Sequence, residues 1–132
     1  MTAVLLTGLK AYYAATGDER VMEAIVKGAR FLVGELWVPE ARGFRYTSCP
    51  ETRAGSGLTF LLFDGIVFAY QRTRDPKLAQ VLELGTEPAV HAMNGWGKGF
   101  TMFTRVAPHY IGPLADLLEK RQRQRGRLSL FR

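Results

Sequence analysis

The chain has 132 residues and is 47% hydrophobic and 23% charged, ordinary globular values that exclude disorder and allow one domain with a sizeable core. Its net charge of +6 is not a general basicity: residues 1–119 hold twelve Lys/Arg against twelve Asp/Glu, and the excess sits in Lys120, Arg121, Arg123, Arg125, Arg127 and Arg132. The single Cys49 excludes an internal disulfide and a cysteine zinc site, and the longest apolar run, 58–70, is interrupted by Thr59 and Asp64 and too short to span a bilayer.

Met1-Thr2 leads directly into a helical pattern, with neither a basic leader nor a small-residue cleavage site, so no signal peptide and a cytoplasmic location are expected. Residues 3–16, AVLLTGLKAYYAAT, are apolar almost all round, which predicts a helix covered on most sides. Gly17 suits a left-handed stop and Asp18 a cap for the next helix. That helix, 19–37, is amphipathic: Val21, Ile25, Ala29, Leu32 and Leu36 recur on one face, with Glu23, Lys27, Arg30 and Glu35 elsewhere. Pro39 ends it. Residues 38–57 read as a long ordered loop with a short strand at Phe44–Thr47, and loops of that length tend to be functional.

The pattern then restarts. Residues 58–72 form a second nearly all-apolar helix, Thr73-Arg74-Asp75 a turn, and Pro76 the first position of a polar-faced helix over 77–90 that ends or breaks near Pro88. A second glycine-rich loop, 94–105, leads to a final helix at about 108–122, kinked or delayed by Pro113, and then to a frayed basic tail, 121–132. The tail reads as a solvated helix end or as a phosphate-attracting arm. Its lack of interleaved aromatics points away from nucleic acid.

The restart is a repeat at an offset of 57 residues. Leu5 meets Leu62, Gly8 Gly65, Tyr13 Tyr70, Thr16 Thr73, Asp18 Asp75, Ile25 Leu82 and Gly28 Gly85. The unit is a buried helix, a tight turn, an amphipathic helix and a long loop, giving hairpins at 3–37 and 60–92 within a single helical domain, 1–120. The fold class expected is therefore all-α, tandem antiparallel hairpins with two long loops at one end.

The joint LLTGLKAYYAATGDERVMEAI, residues 5–25, resembles the hairpin joints of the (α/α)-toroid enzymes, the six-hairpin glycosidase-like superfamily, and the resemblance runs from residue 3 to about 120. It implies a segment of an (α/α)6 toroid, with inner helices in a barrel and the substrate cleft on the long-loop face. A closed toroid needs about six hairpins and this chain holds about two and a half. An inner helix apolar all round needs neighbours on each flank, so homo-oligomerisation through apolar helix faces is expected.

Candidate site residues come from that long-loop face. Phe44, Arg45, Tyr46, Glu51 and Arg53 offer an aromatic platform with charges suited to sugars or uronates, or else the aromatics pin the loop and the charges are solvated. Trp96, with Lys98, either stacks on a sugar or caps the bundle end. Asp64, alone in an apolar helix, is a general acid or base, as the resemblance implies, or a buried carboxylate held by a backbone amide, a Tyr hydroxyl or an Arg. Glycosidase chemistry needs two carboxylates, and Glu51 is the partner available to Asp64.

His91 and His109 have no ligand spacing, Cys49 lacks a local base, and glycines 95, 97 and 99 follow no strand, so neither metal nor cofactor is expected. The leading expectation is an oligomeric helical scaffold with capacity for a saccharide. Its alternatives are a glycoside hydrolase or polysaccharide lyase piece completed by another protomer or chain and, third, a nucleic-acid binder acting through the tail.

Overall fold

The computed structural model describes residues 2–57, 59–93, 95 and 97–129, and the side chains among these except at residues 98, 99 and 124–129. The chain is mostly helical. Helices α1 (Thr2–Thr16) and α2 (Glu19–Phe31) form one hairpin and α3 (Thr59–Thr73) and α4 (Pro76–His91) a second. Helices α5 (Gly97–Val106) and α6 (Ile111–Ser129) follow, joined through a 3-10 turn at Ala107–His109. A small antiparallel sheet of β1 (Trp37–Val38), β2 (Gly43–Arg45) and β3 (Ala54–Gly55) stands between the hairpins in sequence.

The two joints repeat bond for bond. Thr16 Oγ1 donates to Tyr12 O and accepts from the Asp18 amide, and Thr73 Oγ1 does the same with Ala69 O and the Asp75 amide. Gly17 N bonds Tyr13 O and Arg74 N bonds Tyr70 O, both at 2.8 Å. Asp18 accepts from the Arg20 amide and Asp75 from the Lys77 amide, each at 3.0 Å, capping α2 and α4. Burial alone would raise the Asp75 carboxyl, but the Lys77 amide and the Arg30 guanidinium together outweigh it and hold the group below its ordinary value. Position 17 and its counterpart 74 both take left-handed backbone, with φ of 66° at Gly17 and 54° at Arg74.

Packing repeats as well. Leu6 of α1 presses on Gly28 of α2, where a Cβ would lie 2.8 Å from its side chain, and the counterpart Phe63 of α3 presses on Gly85 of α4. Leu6 also fills the space over Gly65, so α1 lies along α3 as well as along its own partner. Tyr13 and Phe68 meet edge to face at 5.9 Å, with Arg72 over both rings, so the two short joints sit side by side. Helix α3 is the hub. It buries Phe60, Phe63, Asp64, Gly65, Ile66, Val67 and Ala69, and its Phe60 and Phe63 meet Phe103 of α5 and Tyr110.

Several expectations are corrected. Helix α1 is not covered on most sides: Leu6 is its one buried residue, while Val4, Leu5 and Tyr12 are 58%, 60% and 54% exposed. Segment 38–57 is not only loop. A widened helical turn, Leu32–Leu36, carries the chain out of α2 into β1, and Trp37 pairs with Phe44 and Phe44 with Gly55 across the sheet. The strand expected at Phe44–Thr47 is β2, one residue earlier and shorter. Gly43 is required there, because a Cβ would fall 2.8 Å from the Gly55 carbonyl.

Helix α4 passes through Pro88 to His91. The ring removes one bond close to the helix end, and Ala89, buried, and Gly85, wedged against Phe63 and Trp37, hold that last stretch in place. Much of the second loop is helix α5, stabilised by Phe103 against Phe60 and by buried Val106 rather than by its glycines. Pro113 falls in the first turn of α6, where a missing amide costs little. That helix continues to Ser129, through most of the expected tail, and Arg121 reaches Glu83 of α4 at 3.8 Å.

Gly17→Ala forces a Cβ into left-handed backbone and is expected to cost about 1–2 kcal/mol, a loss of roughly 2–8 °C in Tm by thermal circular dichroism.

Candidate functional site

Two places hold the polar side chains that the sequence singles out, and they are separate. The first is a groove of about 640 Å³ between the sheet and the starts of α1 and α3. Phe44, Tyr46 and Arg53, all expected at a site, line it together with Arg45. Strand pairing explains their proximity, since Arg45 stands opposite Ala54 and so brings β2 beside the residue that follows Arg53. Leu61 and Leu62 of α3, Leu32 and Leu36 at the end of α2, and Met102 of α5 make the remaining walls largely apolar. Both long connections thus contribute to one cleft.

Phe44 is buried and stacks edge to face on Trp37 at 5.0 Å, so it anchors the strand as well as flooring the groove. Tyr46 is 74% exposed at the rim. Arg45 is half-buried and donates to Glu35 O at 3.4 Å, while Arg53 is exposed. Neither arginine has an acidic partner among the described residues, and no carboxylate lines the groove. Glu51 is exposed outside it, Trp96 lies outside the described residues, and so does the side chain of Lys98.

The second place is Asp64, fully buried at the contact of α1 with α3. Its carboxylate is ion-paired with Lys10 Nζ and accepts from Thr7 Oγ1 at 2.8 Å, and Lys10 also reaches the Asp64 carbonyl at 3.4 Å. His109 Nδ1 stands 4.0 Å from the carboxylate on the side of the 3-10 turn. The holders are thus a Lys and a Thr, not the backbone amide, Tyr hydroxyl or Arg considered from sequence. Thr7 occupies the position equivalent to Asp64 in the first repeat, so equivalent residues of the two hairpins touch.

Tyr110, next along the turn from His109, is also fully buried, and its hydroxyl has no hydrogen-bond partner among the described residues. Burial first, and then the negative charge of Asp64, push that hydroxyl well above its ordinary value, so it stays neutral throughout the physiological range.

This geometry does not assemble a glycosidase pair. Asp64 is sealed from solvent and ion-paired with Lys10, and Glu51 is exposed. Sequence reading missed Lys10, whose signal was present: a lone cation in one apolar helix and a lone anion in its repeat partner are each other's natural counter-charges. Met102 carried no such signal, because the segment holding it reads as loop. The chain matches no protein-family model, and no curated protein or solved structure matches it.

Two outcomes are expected. Lys10→Met strands the Asp64 carboxylate in the core and costs about 3–5 kcal/mol in urea melts, whereas Lys10→Met with Asp64→Leu recovers most of that loss. Tyr110 has a folded pKa above its unfolded value of about 10, so its contribution is intact below that pH and lost as pH rises beyond it. Tyr110→Phe should accordingly be neutral or stabilising near pH 7, since the hydroxyl is unpartnered, and should flatten the alkaline fall in stability above pH 10.

Proposed function

We propose that this domain is an assembly module, two hairpins of the (α/α)-toroid type that pair with a second copy through α1 rather than act on a substrate alone. The observation that carries the reading is that the open face of α1 repeats the face of α3 that α1 covers. Gly65, Phe68 and Arg72 of α3 meet Leu6, Lys10 and Tyr13 of α1. Their counterparts 57 residues earlier, Gly8, Ala11 and Ala15, are exposed, and a Cβ at Gly8 would meet nothing within 4 Å.

Helix α1 thus carries a seat for an apolar helix that none of the described residues fills. The stripe is continuous through Val4, Leu5, Gly8, Ala11, Tyr12 and Ala15, with no charged side chain and the Tyr12 hydroxyl as its one polar group. It suits its own mirror in sequence. An antiparallel second copy crossing near Gly8 and Ala11 sets Val4 and Leu5 of one protomer over Tyr12 and Ala15 of the other. Every contact then occurs twice, the condition for a closed two-fold dimer. Small residues at the crossing let the backbones approach, and the flanking large residues supply about 1.5–3 kcal/mol each when fully buried. The bond-for-bond repetition of the Thr-Gly-Asp and Thr-Arg-Asp joints supports the toroid ancestry, and the sealed Asp64 supports scaffolding over hydrolysis.

Light scattering on a sizing column is expected to give twice the 14.8 kDa chain mass at micromolar concentration. Ala11→Arg should return the single mass with unchanged helicity, and Ala24→Arg, on the exposed face of α2, should not. A wild-type chain that stays monomeric throughout the concentration range overturns the proposal.

A further inference from the structure

The groove beside the sheet has a chemistry that dimerisation does not use. Its volume lies in the range of small-ligand sites, which run from about 300 to 1,000 Å³. Saccharides are held by dense arrays of amide, carboxylate and hydroxyl groups, and here the walls are mainly leucine, phenylalanine and methionine. Among the described residues, the polar ones on the lining apart from Thr2 and the exposed Tyr46 are Arg45 and Arg53. We infer that the groove is a binding site for a small amphipathic carboxylate, a monoanion with an unbranched or aryl apolar body, and not for a neutral sugar.

Charge complementarity sets the head group. Arg45 is half-buried and fixed on β2, its guanidinium donates to the Glu35 carbonyl at 3.4 Å, and no carboxylate among the described residues neutralises it. A planar carboxylate meets a guanidinium through two parallel hydrogen bonds, and that pairing strengthens as water is excluded. Arg53 is exposed, and water screens most of its pull. Among the described residues the site therefore offers one half-buried positive charge and one screened charge. A monoanion balances the half-buried charge, whereas a dianionic phosphate would bring a second charge with only a solvated partner.

The apolar walls set the body. Phe44 is fixed by Trp37 and Leu36 is buried, while Leu61 and Leu62 retain accessible surface on α3. A chain lying along these two leucines removes surface that the protein itself leaves wet. The helical seat on α1 and the groove share Val4 at their border and nothing else. The groove proposal does not depend on the dimer.

Isothermal titration with hexanoate, octanoate and decanoate, below their micellar concentrations, reads the inference directly. Saturable binding to one site per chain is expected, tightening about tenfold for every two carbons added. Decanol should bind at least tenfold more weakly than decanoate, and glucuronate should not bind measurably. Arg45→Gln should lose tenfold or more, and Arg53→Gln, a surface change that leaves the fold intact, about twofold. The monomeric Ala11→Arg variant should bind decanoate as the parent chain does, so this proposal and the dimer fail separately. Equal affinity for decanol and decanoate, unchanged affinity in the Arg45→Gln/Arg53→Gln double variant, tighter binding of decyl phosphate than of decanoate, or preference for glucuronate would each overturn it.

Discussion

The contact that the rest of the arrangement depends on is the buried carboxylate of Asp64 and the two α1 side chains that hold it. Helix α1 packs on its neighbours through Leu6, its one buried residue, and through half-buried Leu9 and Tyr13, side chains that leave few polar marks of register. Apolar surface alone would let a nearly featureless helix slide or rotate on α3 at small cost. Thr7 and Lys10 remove that freedom: they lie one helical turn apart on the same face and both end on one carboxylate. A buried ion pair adds little net stability over apolar residues of the same shape, and its best-attested role is to fix register. Here it fixes the first repeat against the second, through equivalent positions.

With that register set, the glycines acquire their meaning. Leu6 enters the hollow over Gly65 and Gly28 at once, so one leucine locks α1 to both its hairpin partner and the next hairpin. Phe63 plays the equivalent part against Gly85, but its far side meets Tyr110 instead of another hairpin. The array of hairpins therefore stops at a closed end on the α6 side and an open end on the α1 side. This asymmetry leaves an apolar face of α1 uncovered by any described residue. The groove follows from the same placement. Leu61 and Leu62 keep exposed surface because α1 leans on α3 further along, and the sheet is held across the gap by Phe44 on Trp37.

The sequence by itself determined the hairpins and their joints. Gly17, Asp18, Asp75 and Pro76 act through backbone dihedrals and first-turn amides, which depend only on neighbours in the chain, and the 57-residue offset exposed the rest of the unit. It also named the groove's aromatic and cationic side chains, Phe44, Arg45, Tyr46 and Arg53, while leaving open that the aromatics pin the loop, as Phe44 does against Trp37. What only the tertiary structure decided rests on partners far apart in sequence. Residues 97–106 become helix because Phe103 finds Phe60, against the weak propensity of glycine. Strands form in 37–55 because Gly43 can approach Gly55. Asp64 is tied into the core because Lys10, 54 positions earlier, reaches it. The exposure of α1 was hidden for the same reason. Composition records how apolar a helix is, and only the arrangement of its neighbours records how much of it they cover.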